Sequence, residues 1–228
     1  MIICDIFPIS LVFLIISFLS SQAGLKDSVR YYIKNKYPEL IGGLSGRNTI
    51  IGSHYTSVSG VAIGADYGGK VKFLGGVYGL SSPLVERKII NAYTPSQNMI
   101  DEISRFWYFG FTGAYTFFKD TRWTLEIPVR VGFGTANIEQ HDTGKGKFVI
   151  TENNSFIIPL ESGISAQYKI AWWIGLSGGL GSRIVVGKST SQKFSGTYYN
   201  FGVNIYFSNI YFRIRDDLKK NPVKKQKH

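Results

Sequence analysis

The sequence predicts an all-β fold: an antiparallel, up-and-down transmembrane β-barrel, most simply of eight strands. Three observations carry that expectation. Bulky apolar side chains recur at every second position through several long stretches, small or uncharged polar residues fill the positions between, and the connections alternate between tight turns and long polar loops. A strand with one face in a soluble core usually sets charged groups opposite its apolar row. A membrane barrel instead sets lipid-facing side chains opposite a crowded polar interior. Composition agrees: charged residues are only 18% of the 228, while 16 Phe and 14 Tyr are available for interfacial girdles.

Residues 1–23 read as an export signal. Leu11 to Ile16, Phe18 and Leu19 form a short apolar core, and Ser21-Gln22-Ala23 has the small-residue spacing of a cleavage site before Gly24. An uncleaved anchor is the competing expectation, because the stretch before the core has no Lys or Arg and carries Asp5. Cys4 is the one cysteine, so the processed chain could form neither a disulfide nor a thiolate metal site. Residues 24–46 follow as a lead-in segment with helical spacing, since Leu25, Val29, Tyr32, Ile33, Tyr37, Leu40 and Ile41 recur at steps of three and four. Asp27 or Ser28 would cap that helix.

The barrel is expected over 47–207. Its clearest strand is 122–136, where Trp123, Leu125, Ile127, Val129, Val131 and Phe133 alternate with Thr124, Glu126, Pro128, Arg130, Gly132 and Gly134. The same period marks 59–67, 70–80, 105–118, 155–169, 172–186 and 196–207. Closure needs an even number, so an eighth strand is expected near Asn48 to Thr56. Ten strands, using residues before Gly46 or after Ser208, stay open. Asp66 to Gly69, Lys119 to Thr121 and Ile170-Ala171 are the tight turns; 81–104, 137–154 and 187–195 are the long loops.

Parity places Gly60, Gly64, Gly110, Gly132, Gly134, Gly175, Gly179, Gly181 and Gly202 inside. An eight-stranded interior barely holds its own side chains, so these glycines make room for larger inward groups. Arg130, Glu161 and Arg183 fall at similar heights on successive strands, which implies an Arg–Glu–Arg lumen cluster that Glu126 could extend. Unpaired charges in so narrow a lumen would cost several kcal/mol each, so mutual pairing is expected.

The last strand alternates Tyr199, Phe201, Val203, Ile205 and Phe207 with Tyr198, Asn200, Gly202 and Asn204. The spacing of Asn200, Gly202, Ile205 and Phe207 resembles the insertion signal that ends bacterial outer-membrane barrels. Together with the leader and the alternating turn lengths, this makes residues 48–207 similar to the small outer-membrane β-barrels of Gram-negative bacteria, the OmpA/OmpX-like group. The resemblance implies an outer-membrane location and contact with membrane lipid and lipopolysaccharide. It also implies delivery by barrel-assembly machinery, and a periplasmic position for residues 24–46. Residues 208–228, a basic tail ending Lys224-Lys225-Gln226-Lys227-His228, depart from the group, whose chains mostly stop at the terminal aromatic.

Chemistry is sparse. His141 beside Glu139 and Asp142, with Thr143, Ser155 or Ser162 as nucleophiles, is a thin case for lipid-A acylation or deacylation, because no nucleophile motif accompanies it. The same loop, with Glu152, has one histidine among carboxylates, a poor metal set. Gly187-Lys188-Ser189 lacks the glycine a phosphate loop needs at position 182, which is serine. No cofactor, metal or catalytic residue is assigned. The net charge of +11 fits surface polyanions better than nucleic acid in an exported chain, and a solvated surplus is the plainer account. The expected function is therefore non-enzymatic: a plugged barrel with a structural or surface-interaction role through its long loops. A narrow channel for small or apolar solutes is the first alternative, and a lipid-A enzyme the second. Nothing in the sequence fixes the oligomeric state.

Overall fold

The computed structural model describes residues 23–51, 54–90, 98–142, 153–187 and 194–220. Helix α1 (Ala23–Asn35) precedes nine strands: β1 (Pro38–Ile51), β2 (His54–Tyr67), β3 (Val71–Leu80), β4 (Leu84–Ile90), β5 (Asn98–Lys119), β6 (Trp123–Asp142), β7 (Asn153–Lys169), β8 (Ile174–Gly187) and β9 (Gly196–Tyr206). Helix α2 (Phe207–Lys220) follows directly. All pairings are antiparallel, in the order β3-β2-β1-β9-β8-β7-β6-β5, and β3 pairs with β5 to close the ring. Eight strands thus form the barrel, which settles the choice against ten. β4 stands outside the ring and pairs only with the first part of β5, Asn98 to Ser104.

Three turns, 68–70, 120–122 and 170–173, share one rim with both barrel termini. Gly68 and Gly69 hold φ of 64° and 70°, a region a Cβ disfavours, so the β2–β3 turn needs glycine. The opposite rim carries the long connections. Near the turn rim a register shift at Thr116/Phe118 marks a bulge in β5, and Phe117 and Phe118 are both exposed. The extra residue lets two consecutive aromatics point outward.

Several expected boundaries change. The first strand is Pro38–Ile51, not Asn48 to Thr56, so the barrel starts ahead of residue 47 and Thr56 belongs to β2. The helical spacing that ran to Ile41 breaks because Pro38 has no amide donor and drives the preceding residue toward extended geometry. The loops expected at 81–104 and 137–154 are partly strand: β4, the start of β5 and the end of β6 form an extension beyond the ring. These stretches mix charge into both faces, so the apolar alternation that marks the ring is missing from them. Finally, β9 ends at Tyr206, while Phe207 opens α2 and most of the supposed tail is helical. Residues 1–22, which hold most of the expected export signal, and residues 221–228 lie outside the described residues.

Inside and outside differ sharply. Phe111, Leu180 and Phe201 on the outer wall are 64%, 71% and 65% exposed, whereas Tyr108 and Arg183 in the lumen are 0% and 1%. The loop-side end of the lumen is an apolar core of Val58, Phe106, Ala136, Ile157, Val185 and Phe194. Phe194 enters from the β8–β9 connection and packs on Phe106, ring centroids 4.7 Å apart.

Candidate functional site: two charged layers in the lumen

Below that apolar core, β7 carries Glu161 inward. Antiparallel register puts Arg130 of β6 and Arg183 of β8 directly beside it. Arg130 Nη1 lies 2.8 Å from Glu161 Oε2, and Arg183 Nε lies 2.7 Å from Oε1. Tyr108 of β5 donates its hydroxyl to Oε1 at 2.6 Å. Arg47 of β1 reaches across the lumen to Oε2 at 3.3 Å. Three guanidiniums therefore share one carboxylate, with Arg47 and Glu161 only 2% and 3% exposed. Charge-assisted hydrogen bonds of this geometry are roughly twice as strong as neutral ones, which offsets part of the cost of dehydrating the charges.

Aromatic faces take up part of the positive surplus. The guanidinium carbons of Arg130 and Arg47 lie 4.2 Å and 4.6 Å from the Tyr78 ring centre, and Arg183 lies 5.7 Å from that of Tyr198. Tyr78 stacks on Tyr108 at 5.2 Å, which in turn stacks on Phe106 at 6.0 Å, so an aromatic column joins the charged layer to the apolar core. The glycines opposite these rings are a steric requirement. A Cβ on Gly132 would sit 2.5 Å from Tyr108 Cδ2 and 2.8 Å from Pro159 Cγ.

Glu126 does not extend this cluster. It lies four residues along β6 from Arg130, about 13 Å at strand rise, and forms a second layer nearer the turn rim. Lys72 Nζ donates to Glu126 Oε2 at 2.6 Å and to Gln167 Oε1 at 3.0 Å, and Gln167 Nε2 donates to Glu126 Oε1 at 2.6 Å. The three side chains close a triangle across the lumen. Between the layers lies a cavity of about 100 Å³, lined by Arg47, Tyr78, Lys72, Glu126, Gln167 and Asn200 among others.

Of the residues singled out from sequence, the fold brings Arg130, Glu161 and Arg183 together and separates Glu126 from them. Arg47, Lys72, Tyr78 and Tyr108 were missed. Parity within β3 already put Lys72 and Tyr78 inside, and parity within β5 put Tyr108 there; only Arg47 was hidden by the misplaced first strand. In the terminal-strand motif, Asn200 and Gly202 face the lumen and Ile205 faces out, while Phe207 packs its ring against the Gly42 backbone. The histidine reading gains no geometry. The side chains of His54 and His141, and residues Thr143, Glu152 and His228, lie outside the described residues, while Ser155 and Ser162 sit on opposite faces of β7. Among the described residues, no three His, Cys, Asp or Glu side chains group as metal ligands.

The chain matches no protein-family model and no curated protein sequence. Solved structures similar to it include Neisserial surface protein A, at 12% identity and TM-score 0.47, covering 74% of this chain and 96% of that one. A major outer membrane protein from Thermus thermophilus is similar at 10% identity and TM-score 0.49, covering 73% and 98%. Ail, the attachment invasion locus protein of Yersinia pestis, in complex with the heparin analogue sucrose octasulfate, is similar at 7% identity and TM-score 0.42, covering 74% and 96%.

Proposed function

We propose that this chain is an integral protein of the bacterial outer membrane whose lumen is plugged, and that it acts structurally or through its loop-side extension rather than as a pore or an enzyme. The observation that carries this reading is the double occlusion of a closed ring. An aromatic plug around Phe194 sits over an Arg–Glu–Arg–Arg layer, with a Lys–Glu–Gln triangle below.

The outer wall supports the membrane placement. On β5, Trp107 to Phe117 spans roughly 33 Å of strand at about 3.3 Å per residue. With the tilt of about 40° usual in small barrels, that is about 25 Å along the axis, the height of an outer-membrane apolar band. Trp123, Trp172 and Trp173 lie exposed at the turn rim and Trp107 toward the loop rim, where interfacial girdles belong. Three of the four connections on the rim opposite the tight turns are long, which supports a cell-surface position, in reach of lipopolysaccharide, for the extension formed by β4, β5 and β6.

The polar cavity between the charged layers favours the narrow-channel reading as the runner-up. Recording from purified protein in planar bilayers separates the two. A plugged lumen gives no steady unitary conductance, and variants Arg183→Ala and Phe194→Gly raise leak above that baseline. A stable open conductance from the unmodified protein would exclude the plugged reading.

A further inference from the structure

Helix α2 starts where β9 ends, with no linker, and its first turn is fixed to the outer wall rather than left free. The Phe207 ring lies against Gly42 of β1, the Leu40 amide donates to Ser208 Oγ at 2.6 Å, and Asn209 Nδ2 donates to the Trp172 carbonyl at 2.6 Å. Arg213 lies over the Trp172 ring at 5.2 Å. These contacts set α2 at the turn-rim aromatic girdle, at the edge of the belt.

Along α2, Phe207, Ile210, Tyr211 and Ile214 recur at steps of three and four and form one apolar stripe. Beyond the Phe207 contact the barrel leaves that stripe uncovered: Tyr211 is 63% and Ile214 55% exposed. Exposed Arg213, Arg215 and Lys219 accompany it. From 207 to 228 the sequence holds seven Lys or Arg against Asp216 and Asp217. The Arg215–Asp216 pair, 3.5 Å apart and half exposed, leaves most of that charge unspent.

We infer that α2 lies in the plane of the turn-side bilayer surface, its stripe at the headgroup–acyl boundary and its basic residues on the phosphates of anionic phospholipid. The inference rests on the membrane placement above and names the lipid that placement brings to this helix. Continuity with the belt at Trp172 selects bilayer as the occupant, and the basic surplus selects anionic headgroups over zwitterionic ones. An aromatic-rich apolar stripe flanked by cations is what interfacial helices use, and each basic residue near an anionic surface is worth about fivefold in affinity.

The test uses the full chain with Cys4→Ser and a single new cysteine, Ile214→Cys or Asp216→Cys, carrying an environment-sensitive nitrobenzoxadiazole. Each protein is folded into phosphatidylcholine vesicles with or without phosphatidylglycerol. Barrel insertion is read separately from heat-dependent gel mobility. In inserted protein, the label at 214 should shift to the blue, resist aqueous iodide and be quenched by headgroup-level spin-labelled lipid, while the label at 216 stays open to iodide. Phosphatidylglycerol should strengthen that contrast several-fold, and Arg213→Gln with Arg215→Gln and Lys219→Gln should remove the increment. Equal iodide access at both positions overturns the inference, as does indifference to phosphatidylglycerol, or shielding of 214 accompanied by energy transfer between labelled copies. In those cases normal insertion leaves the membrane placement standing. Failure to insert defeats both.

Discussion

Three guanidiniums converge on Glu161, and their positions follow from register alone for two of them and from a reach across the lumen for the third. Removing the carboxylate's charge leaves Arg47, Arg130 and Arg183 buried against one another. Glu161→Gln should therefore destabilise the folded barrel by about 3–5 kcal/mol, the usual cost of leaving buried charge uncompensated. Urea unfolding in vesicles, followed by tryptophan emission, checks the figure; a change below about 1 kcal/mol would mean that the cluster contributes little. Glu126 belongs to a different layer, about 13 Å along the same strand. Glu161→Gln and Glu126→Gln should accordingly add to within about 0.5 kcal/mol, whereas Lys72→Met and Glu126→Gln, whose side chains touch, should couple strongly. Strong coupling between the two glutamates would contradict two separate layers.

At the scale of elements, the strands are set by what each face meets. The outward rows of β5, β6 and β8 need bulk, and the inward rows need gaps wherever a ring crosses the lumen. Gly132 is such a gap, facing Tyr108 and Pro159. Gly132→Val should cost about 1–3 kcal/mol through overpacking and lower the temperature at which the compact gel form is lost, while Gly113→Val, facing outward from β5, should change it far less. Equal effects at the two sites would contradict the assigned faces.

The same two-sided logic explains what the sequence revealed. In β6 every second residue from Trp123 to Phe133 is bulky and apolar, so strand, faces and inward Arg130 could all be read from it. β1 gave a poorer signal, because Gly42, Gly43 and Gly46 thin its pattern and Leu40, Leu44 and Ile41 also satisfy helical spacing. Arg47 was lost with it. The extension formed by β4 and the loop-side ends of β5 and β6 lacks an apolar row, because polar Glu102 and Ser104 take buried positions on β5, so its residues read as loop. Glu126 was placed by type rather than by height; counting its distance from Arg130 along the strand separates the layers. Helix α2 kept its spacing of Phe207, Ile210, Tyr211 and Ile214 in plain view, but the expectation of a terminal aromatic at Phe207 turned what followed into a tail.

The whole molecule inverts the arrangement of a soluble domain over most of its height: charge and hydrogen bonds inside, aromatic and aliphatic bulk outside. The exception is the loop-side end of the lumen, a small apolar core that Phe194 joins from the β8–β9 connection. Everything proposed for the surface extension, the occluded lumen and helix α2 follows from the outer wall meeting lipid. The four native tryptophans report on that wall directly, because Trp107 and Trp123 stand on its strands and Trp172 and Trp173 in the turn at its rim, all 39–48% exposed. The decisive measurement is tryptophan emission after the chain is folded from urea into vesicles of brominated phosphatidylcholine, compared with unbrominated vesicles. Lipid-facing indoles should lose most of their emission to the bromines, in step with the appearance of the compact gel form. Unquenched emission from folded protein that stays in the aqueous phase would contradict a membrane-spanning barrel.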